Sequence, residues 1–283
     1  MQWRGQRRSD NIEDRRVARS GGRAGRAGGV GLLAVVIIGY FMGIDLTPLL
    51  TQPGAPATQR QTSELSQSER DAGEFVSVVL AKSEDIWGGI FENSLGARYN
   101  PPILVLYSGV TGSPCGAASG ATGPFYCPGD QKIYLDTAFF DTMQRELGAG
   151  GDFAMAYVVA HEVAHHVQNE LGIMAQASQI RQSSDQVTSN AVSVRIELQA
   201  DCLAGIWAAQ VKAQFGTIDK GDFAEALNAA KQIGDDTLQR NAGAVPMPHS
   251  FTHGTSAQRM AWFERGLKAN SLDSCDTFSA RKL

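Results

Sequence analysis

Residues 153–172 read FAMAYVVAHEVAHHVQNELG, a long apolar run closed by a glycine. That spacing predicts a helix over 153–171, with Gly172 as the residue just past its C-terminus. Set into the run is His161-Glu162-Val163-Ala164-His165. Side chains four apart stand one turn apart on the same helix face, so both imidazoles reach one ion. Glu162 projects from the adjoining flank, close enough to touch a metal-bound water without ligating. This is the HExxH arrangement of zinc peptidases, in which the carboxylate is the general base. A buried apolar helix has no structural use for two histidines and an acid on one flank, because unpaired polar groups are costly to bury.

A catalytic zinc takes three protein ligands and keeps a fourth position for water. His166 projects well away from His161, and Glu170 stands on the opposite face. The extended HExxHxxGxxH form is excluded, because Gln168 and Leu171 stand where its glycine and third histidine belong. The search therefore moves to a helix expected over 190–215 and closed by Gly216. There Glu197 and Asp201 sit one turn apart in a stripe with Val194, Ala204 and Ala208, small residues that suit close packing on a neighbour. Glu197 is the expected third zinc ligand. Asp201 is expected to accept from the remote nitrogen of a ligand histidine. Asp201 as ligand, or His253 in place of Glu197, remain open alternatives.

His253 lies in Phe251-Thr252-His253-Gly254-Thr255, a loop before a helix at Ser256–Leu267. Loops carry functional groups more often than they bury them. His253 is expected either to stabilise the oxyanion of the transition state or to cap the last helix.

Around these motifs, helical spacing recurs over 74–93, 138–147 and 223–240, while 173–190 is polar and poorly patterned. Ile103–Tyr107 and 132–135 (KIYL, after a Pro-Gly turn) read as strands. KIYL is either an exposed edge to which a peptide substrate adds, or an ordinary interior strand. Many helices after a few strands indicate an α+β domain, mostly helical, with a small antiparallel sheet.

The N-terminus suggests a membrane. Residues 27–44 carry no charge and span just enough length, as a helix, to cross a hydrocarbon core. Eight arginines against Asp10, Glu13 and Asp14 precede them. The positive-inside rule then makes 1–26 a cytoplasmic tail, 27–44 one transmembrane signal anchor, 45–70 a Pro/Gln/Ser-rich linker, and 71–283 an extracytoplasmic domain. A cleaved signal peptide is the rival reading, although the first Ala-x-Ala, at Ala55 and Ala57, lies well past the apolar run. With that topology all four cysteines face an oxidising compartment. Cys115 and Cys127 bracket a Gly/Pro-rich loop and are the expected pair; Cys202 and Cys275 either form a second bridge, tying the C-terminal tail to a helix, or stay free and buried. A structural zinc on these four would need closely spaced pairs, and none occurs.

The net charge is −4 and the basic residues cluster at one end, so the body is acidic. Nucleic acid is therefore not an expected partner, since phosphate binding needs a concentrated basic surface.

HEVAHHVQ, ELQADCLAGIWA, HGTSAQRMAWF and the stretch CG…GPFYCPGDQKIYLD, with the opening WRGQRRSDNIEDRR, resemble the bacterial neutral zinc metallopeptidase family of the YpfJ type. The resemblance runs over nearly the whole chain. It implies a zincin-like α+β domain with one Zn2+ at His161, His165 and Glu197. The Glu-x-x-x-Asp spacing also resembles gluzincins, although the 31 residues between His165 and Glu197 exceed the shortest gluzincin linkers. Two functions follow as expectations. One is a membrane-anchored zinc peptidase acting on peptide or protein substrates. The other is a non-catalytic envelope module in which the metal only braces the fold. Glu162 separates them, because a closed structural site has no use for a base beside an open position.

Overall fold

A 25-residue helix crossed at its glycine by a 12-residue one lies at the heart of the folded unit. The computed structural model describes residues 1–16, 64–119, 122–269 and 271–283. Among these, eight helices follow in order: α1 (Gln67–Ile90), α2 (Phe139–Arg145), α3 (Asp152–Glu170), α4 (Ile173–Gln182), α5 (Gln186–Gln210), α6 (Asp222–Gln232), α7 (Asp235–Asn241) and α8 (Ser256–Leu267). The strands are β1 (Ile12–Asp14), β2 (Ile103–Tyr107), β3 (Val110–Ser113), β4 (Gly116–Ser119), β5 (Phe125–Cys127) and β6 (Lys132–Asp136).

The α+β class holds, but the sheet is not the expected antiparallel one. Its order is β1-β2-β6-β5, with β1, β2 and β6 parallel and only β5 antiparallel to β6. Parallel neighbours need a long crossover. Residues 108–131 supply it, folding on the way into the β3–β4 hairpin and β5. KIYL is therefore an interior strand, flanked by β2 and β5, and its near-continuous apolar character fits burial on both faces.

The N-terminal organisation also needs correction. β1 pairs with β2 in the register Ile12↔Leu104, and residues 1–15 belong to one compact unit with 67–283. A single crossing at 27–44 would put these paired strands on opposite sides of a membrane, so the one transmembrane helix expected before the domain is not borne out. Residues 27–44 lie outside the described residues. Among the described residues no helix is long and apolar enough to cross a membrane. Among the described residues, arginines that suggested the positive-inside rule have partners within the fold. Arg7 bonds Glu84 (3.0 Å), Asp85 (2.8 Å) and the Ala81 carbonyl (2.6 Å) on α1, and Arg8 pairs with Glu74. Helix α1 itself starts at Gln67, inside the stretch read as linker.

Packing then sets the site. Helices α5 and α8 meet backbone to backbone at Gly205 and Gly266. A Cβ on Gly266 would lie 1.9 Å from the Cys202 carbonyl oxygen, and one on Gly205 2.2 Å from that of Phe263. Polar 173–190 contains α4 and the first turn of α5, whose cap is the Asp185 side chain accepting from Thr188 N. The stretch 223–240 splits into α6 and α7 at Gly234, where a Cβ would meet Ser256 N at 2.4 Å. Both expected disulfides are formed, Cys115–Cys127 and Cys202–Cys275, and the second ties the C-terminal segment to α5.

Candidate metal centre and catalytic site

Helix α3 is buried along almost its whole length, and it carries His161, Glu162 and His165 with it. The imidazole centroids of His161 and His165 are 4.8 Å apart and nearly perpendicular, as one helical turn allows. Glu197 reaches them from α5. Its Oε2 is 3.0 Å from His161 Nε2 and its Oε1 3.5 Å from His165 Nε2. One ligand atom from each of the three residues falls within 4.8 Å of the others. Two imidazole nitrogens and one carboxylate oxygen are the donor set of a three-ligand zinc site with an open position, so the residues fit that ion. Asp201 and His253 lie outside this trio.

Asp201 is fully buried behind the ligands. Its Oδ1 is 2.9 Å from His161 Nδ1. A bare lone pair that close to an ionised carboxylate would be repelled, so Nδ1 carries a proton and Nε2 faces Glu197. Three further donors hold the carboxylate: Tyr157 OH at 2.5 Å, Arg259 Nε at 2.9 Å and Arg259 Nη2 at 3.0 Å. Arg259 also donates to the Tyr157 hydroxyl and to the Ile233 carbonyl, both at 3.2 Å. Burial alone would push the Asp201 carboxyl up. The Arg259 and His161 charges and bonds outweigh it and bring it down to about 2. Burial likewise opposes charge on His161, yet Asp201, aided by Glu197, raises it to about 10. Glu197 would also be pushed up by burial, but His165 and His253 hold it well below the usual carboxylate range.

His165 is held differently. Its Nδ1 lies 2.8 Å from Gln168 Oε1, and Gln168 Nε2 donates to the Ile196 carbonyl (2.8 Å) and to Gln199 Oε1 (3.0 Å).

His253 sits in its loop above the site with its side chain 50% exposed. Gly254, at φ +93°, packs so closely on α5 that a Cβ would meet Leu198 and Val194 at 3.2–3.3 Å. Asp235 organises this loop. Its Oδ2 accepts from the backbone N–H groups of Thr252, His253 and Gly254 at 2.8, 2.7 and 3.0 Å, and its Oδ1 is 3.2 Å from His253 Nδ1. Burial lowers the His253 pKa, and the charge of Glu197 with the bond to Asp235 raises it above the ordinary value. The last helix is capped by Thr255, whose side chain accepts from Gln258 N, so His253 is not its cap.

Tyr157, Gln168, Gln199, Asp235 and Arg259 are the residues of this site that sequence reasoning missed. One signal was available: Ser256, Arg259, Phe263 and Gly266 form a single helical stripe, and all four are buried. An arginine on a core-facing stripe demands a buried partner.

The sequence profile of the family described as "Putative neutral zinc metallopeptidase" matches residues 1–278. Similar chains include "Uncharacterized protein YpfJ" of Escherichia coli K12, 47% identical over 98% of this chain and 99% of that one. "Uncharacterized protein Rv2575" of Mycobacterium tuberculosis and "Uncharacterized protein Mb2605" of Mycobacterium bovis are each 37% identical, over 86% of both chains. No solved structure matches.

Proposed function

Because the chain belongs to the family described as "Putative neutral zinc metallopeptidase", we propose that it is a zinc peptidase that hydrolyses peptide bonds with Glu162 as general base. The observation that carries this reading is the convergence of His161 Nε2, His165 Nε2 and a Glu197 oxygen within 4.8 Å, with Glu162 next to His161 on the same buried helix.

Held by His161, His165 and Glu197, zinc supplies Lewis-acid polarisation of the scissile carbonyl and acidifies the attacking water. Glu162 takes a proton from that water as its oxygen bonds to the carbonyl carbon, then delivers it to the leaving amine. His253, oriented by Asp235, is the donor to the oxygen on which negative charge develops. Asp201, clamped by Arg259 and Tyr157, keeps His161 oriented throughout.

The Cys115–Cys127 and Cys202–Cys275 bridges favour an oxidising compartment for the folded unit, which includes residues 1–15 as well as 67–283. The substrate class is a peptide or protein.

Glu162→Gln tests the base directly. The variant should keep zinc and fold while peptide hydrolysis falls by about 10²–10⁴-fold. Near-normal turnover would remove Glu162 from the mechanism.

A further inference from the structure

The two histidines of the trio are supported by opposite kinds of neighbour. His161 faces an ionised carboxylate clamped by an arginine, whereas His165 faces a neutral amide. Gln168 follows His165 by three residues on α3 and is itself completely buried. A primary amide presents either its oxygen or its nitrogen to a neighbour, and buried amides are oriented by whatever else they touch. The Ile196 carbonyl can only accept, and it lies 2.8 Å from the nitrogen end of Gln168. Gln199 Oε1 takes the same NH2 group at 3.0 Å. Gln199 is oriented in turn, because its own nitrogen donates to the Cys275 carbonyl at 3.2 Å. Cys275 is bonded to Cys202 on α5, so this chain of amides ends on a cross-linked backbone.

Each link leaves one choice for the next. The Cys275 carbonyl turns the Gln199 nitrogen outward and its oxygen toward Gln168. That oxygen and the Ile196 carbonyl together claim the Gln168 NH2. Only the Gln168 oxygen remains to meet His165 Nδ1 at 2.8 Å. An acceptor there requires Nδ1–H, so Nε2, 3.5 Å from Glu197 Oε1, is the nitrogen that faces the trio.

Resting on the reading of this trio as a metal centre, we propose that Gln168, oriented by Ile196 and Gln199, is a positioning residue that holds His165 as the Nδ1–H tautomer with Nε2 free to bind the metal. The amide acts through His165 and touches neither substrate nor metal.

The test uses the full chain and two readouts, the His165 tautomer in metal-free protein by ¹⁵N–¹H correlation at pH 8, and zinc affinity by chelator competition. Wild-type protein should show the Nδ1–H form. Gln168→Leu should show Nε2–H as the major form and lose about 10–100-fold in zinc affinity. Gln199→Leu removes one of two restraints on the amide and leaves the Ile196 bond. It should lose about threefold or more in affinity and carries the test if Gln168→Leu does not fold. A folded variant that keeps the Nδ1–H form and binds zinc within about twofold of wild type would overturn the proposal, whatever its thermal stability. So would an Nε2–H tautomer in the wild type. A tautomer that follows Gln168 in a chain that takes up no zinc would uphold the positioning role and overturn the metal reading instead.

Discussion

In the proposed site, zinc and a proton would compete for His161 Nε2, and the raised pKa of that imidazole sets the size of the competition. The imidazole has an ordinary value of 6.5 and is raised to about 10, against the cost of burial, by Asp201 and Glu197. At pH 7 the metal must displace a proton held across about three pH units, which weakens apparent zinc binding roughly a thousandfold from its high-pH limit. Apparent Kd should therefore fall about tenfold per pH unit between pH 7 and 9 and level off near pH 10, with one proton released per zinc. Chelator competition at stepped pH reads the slope, and calorimetry in buffers of different ionisation heat counts the proton. The same raised pKa fixes the sign for stability. The folded-state value lies above the unfolded one, so this stabilisation of metal-free protein is fully present below about 6.5 and is lost as pH rises towards about 10. The melting temperature of metal-free protein should fall across that window, while zinc-loaded protein, with no proton on that nitrogen, lacks this component. Asp201→Asn removes the largest raising influence and should move the break in the Kd profile to lower pH. A Kd that is flat between pH 7 and 9, with no proton released, would refute the reasoning.

The other predictions concern single side chains. Compared near pH 10, where proton competition has levelled off, Glu197→Ala should lower zinc affinity sharply, whereas Asp201→Asn should lower it by about 10–100-fold through lost orientation; a reversed order would exchange ligand and support. His253→Ala should retain zinc and lose about 2.7–4 kcal/mol of transition-state stabilisation in kcat/KM. Loss of zinc would make it a ligand, and unchanged rate with a lower melting temperature would return it to structure. Gly266→Ala places a methyl 1.9 Å from the Cys202 carbonyl oxygen and should cost about 3 kcal/mol in a denaturant melt; a cost under about 0.5 kcal/mol would show that α5 and α8 separate freely.

What the sequence made legible here is what lies within one or two turns. The i, i+4 spacing of His161 and His165, the i, i+4 spacing of Glu197 and Asp201, and the stops at Gly172 and, after a π-helical turn at Val211–Phe215 that continues α5, Gly216 are local geometry, and each has its place in the fold. What was not legible depends on partners far along the chain. The β1–β2 pairing joins residues about ninety positions apart, and three residues of IED carry no periodicity to announce it. Arg7 and Arg8 look the same in the sequence whether they flank a membrane or face the acids of α1, and only the docked strand decides between them. Parallel pairing of β2 with β6 turns on how 108–131 folds back, a property of the whole crossover. Gln168 and Gln199 read as ordinary polar positions because an amide's role is set by its neighbours, here Ile196 and Cys275, which no spacing on α3 reveals.

The central claim is that His161, His165 and Glu197 hold a zinc at which Glu162 drives hydrolysis. The most direct measurement is metal content of the purified full-length chain, combined with a broad peptide-library digest of the same sample. About one zinc per chain should be found, with defined cleavage sites that vanish on chelation and return with zinc. Stoichiometric zinc with an uncut library would make the centre a brace for the fold, and cleavage that survives complete removal of the metal would contradict the account outright.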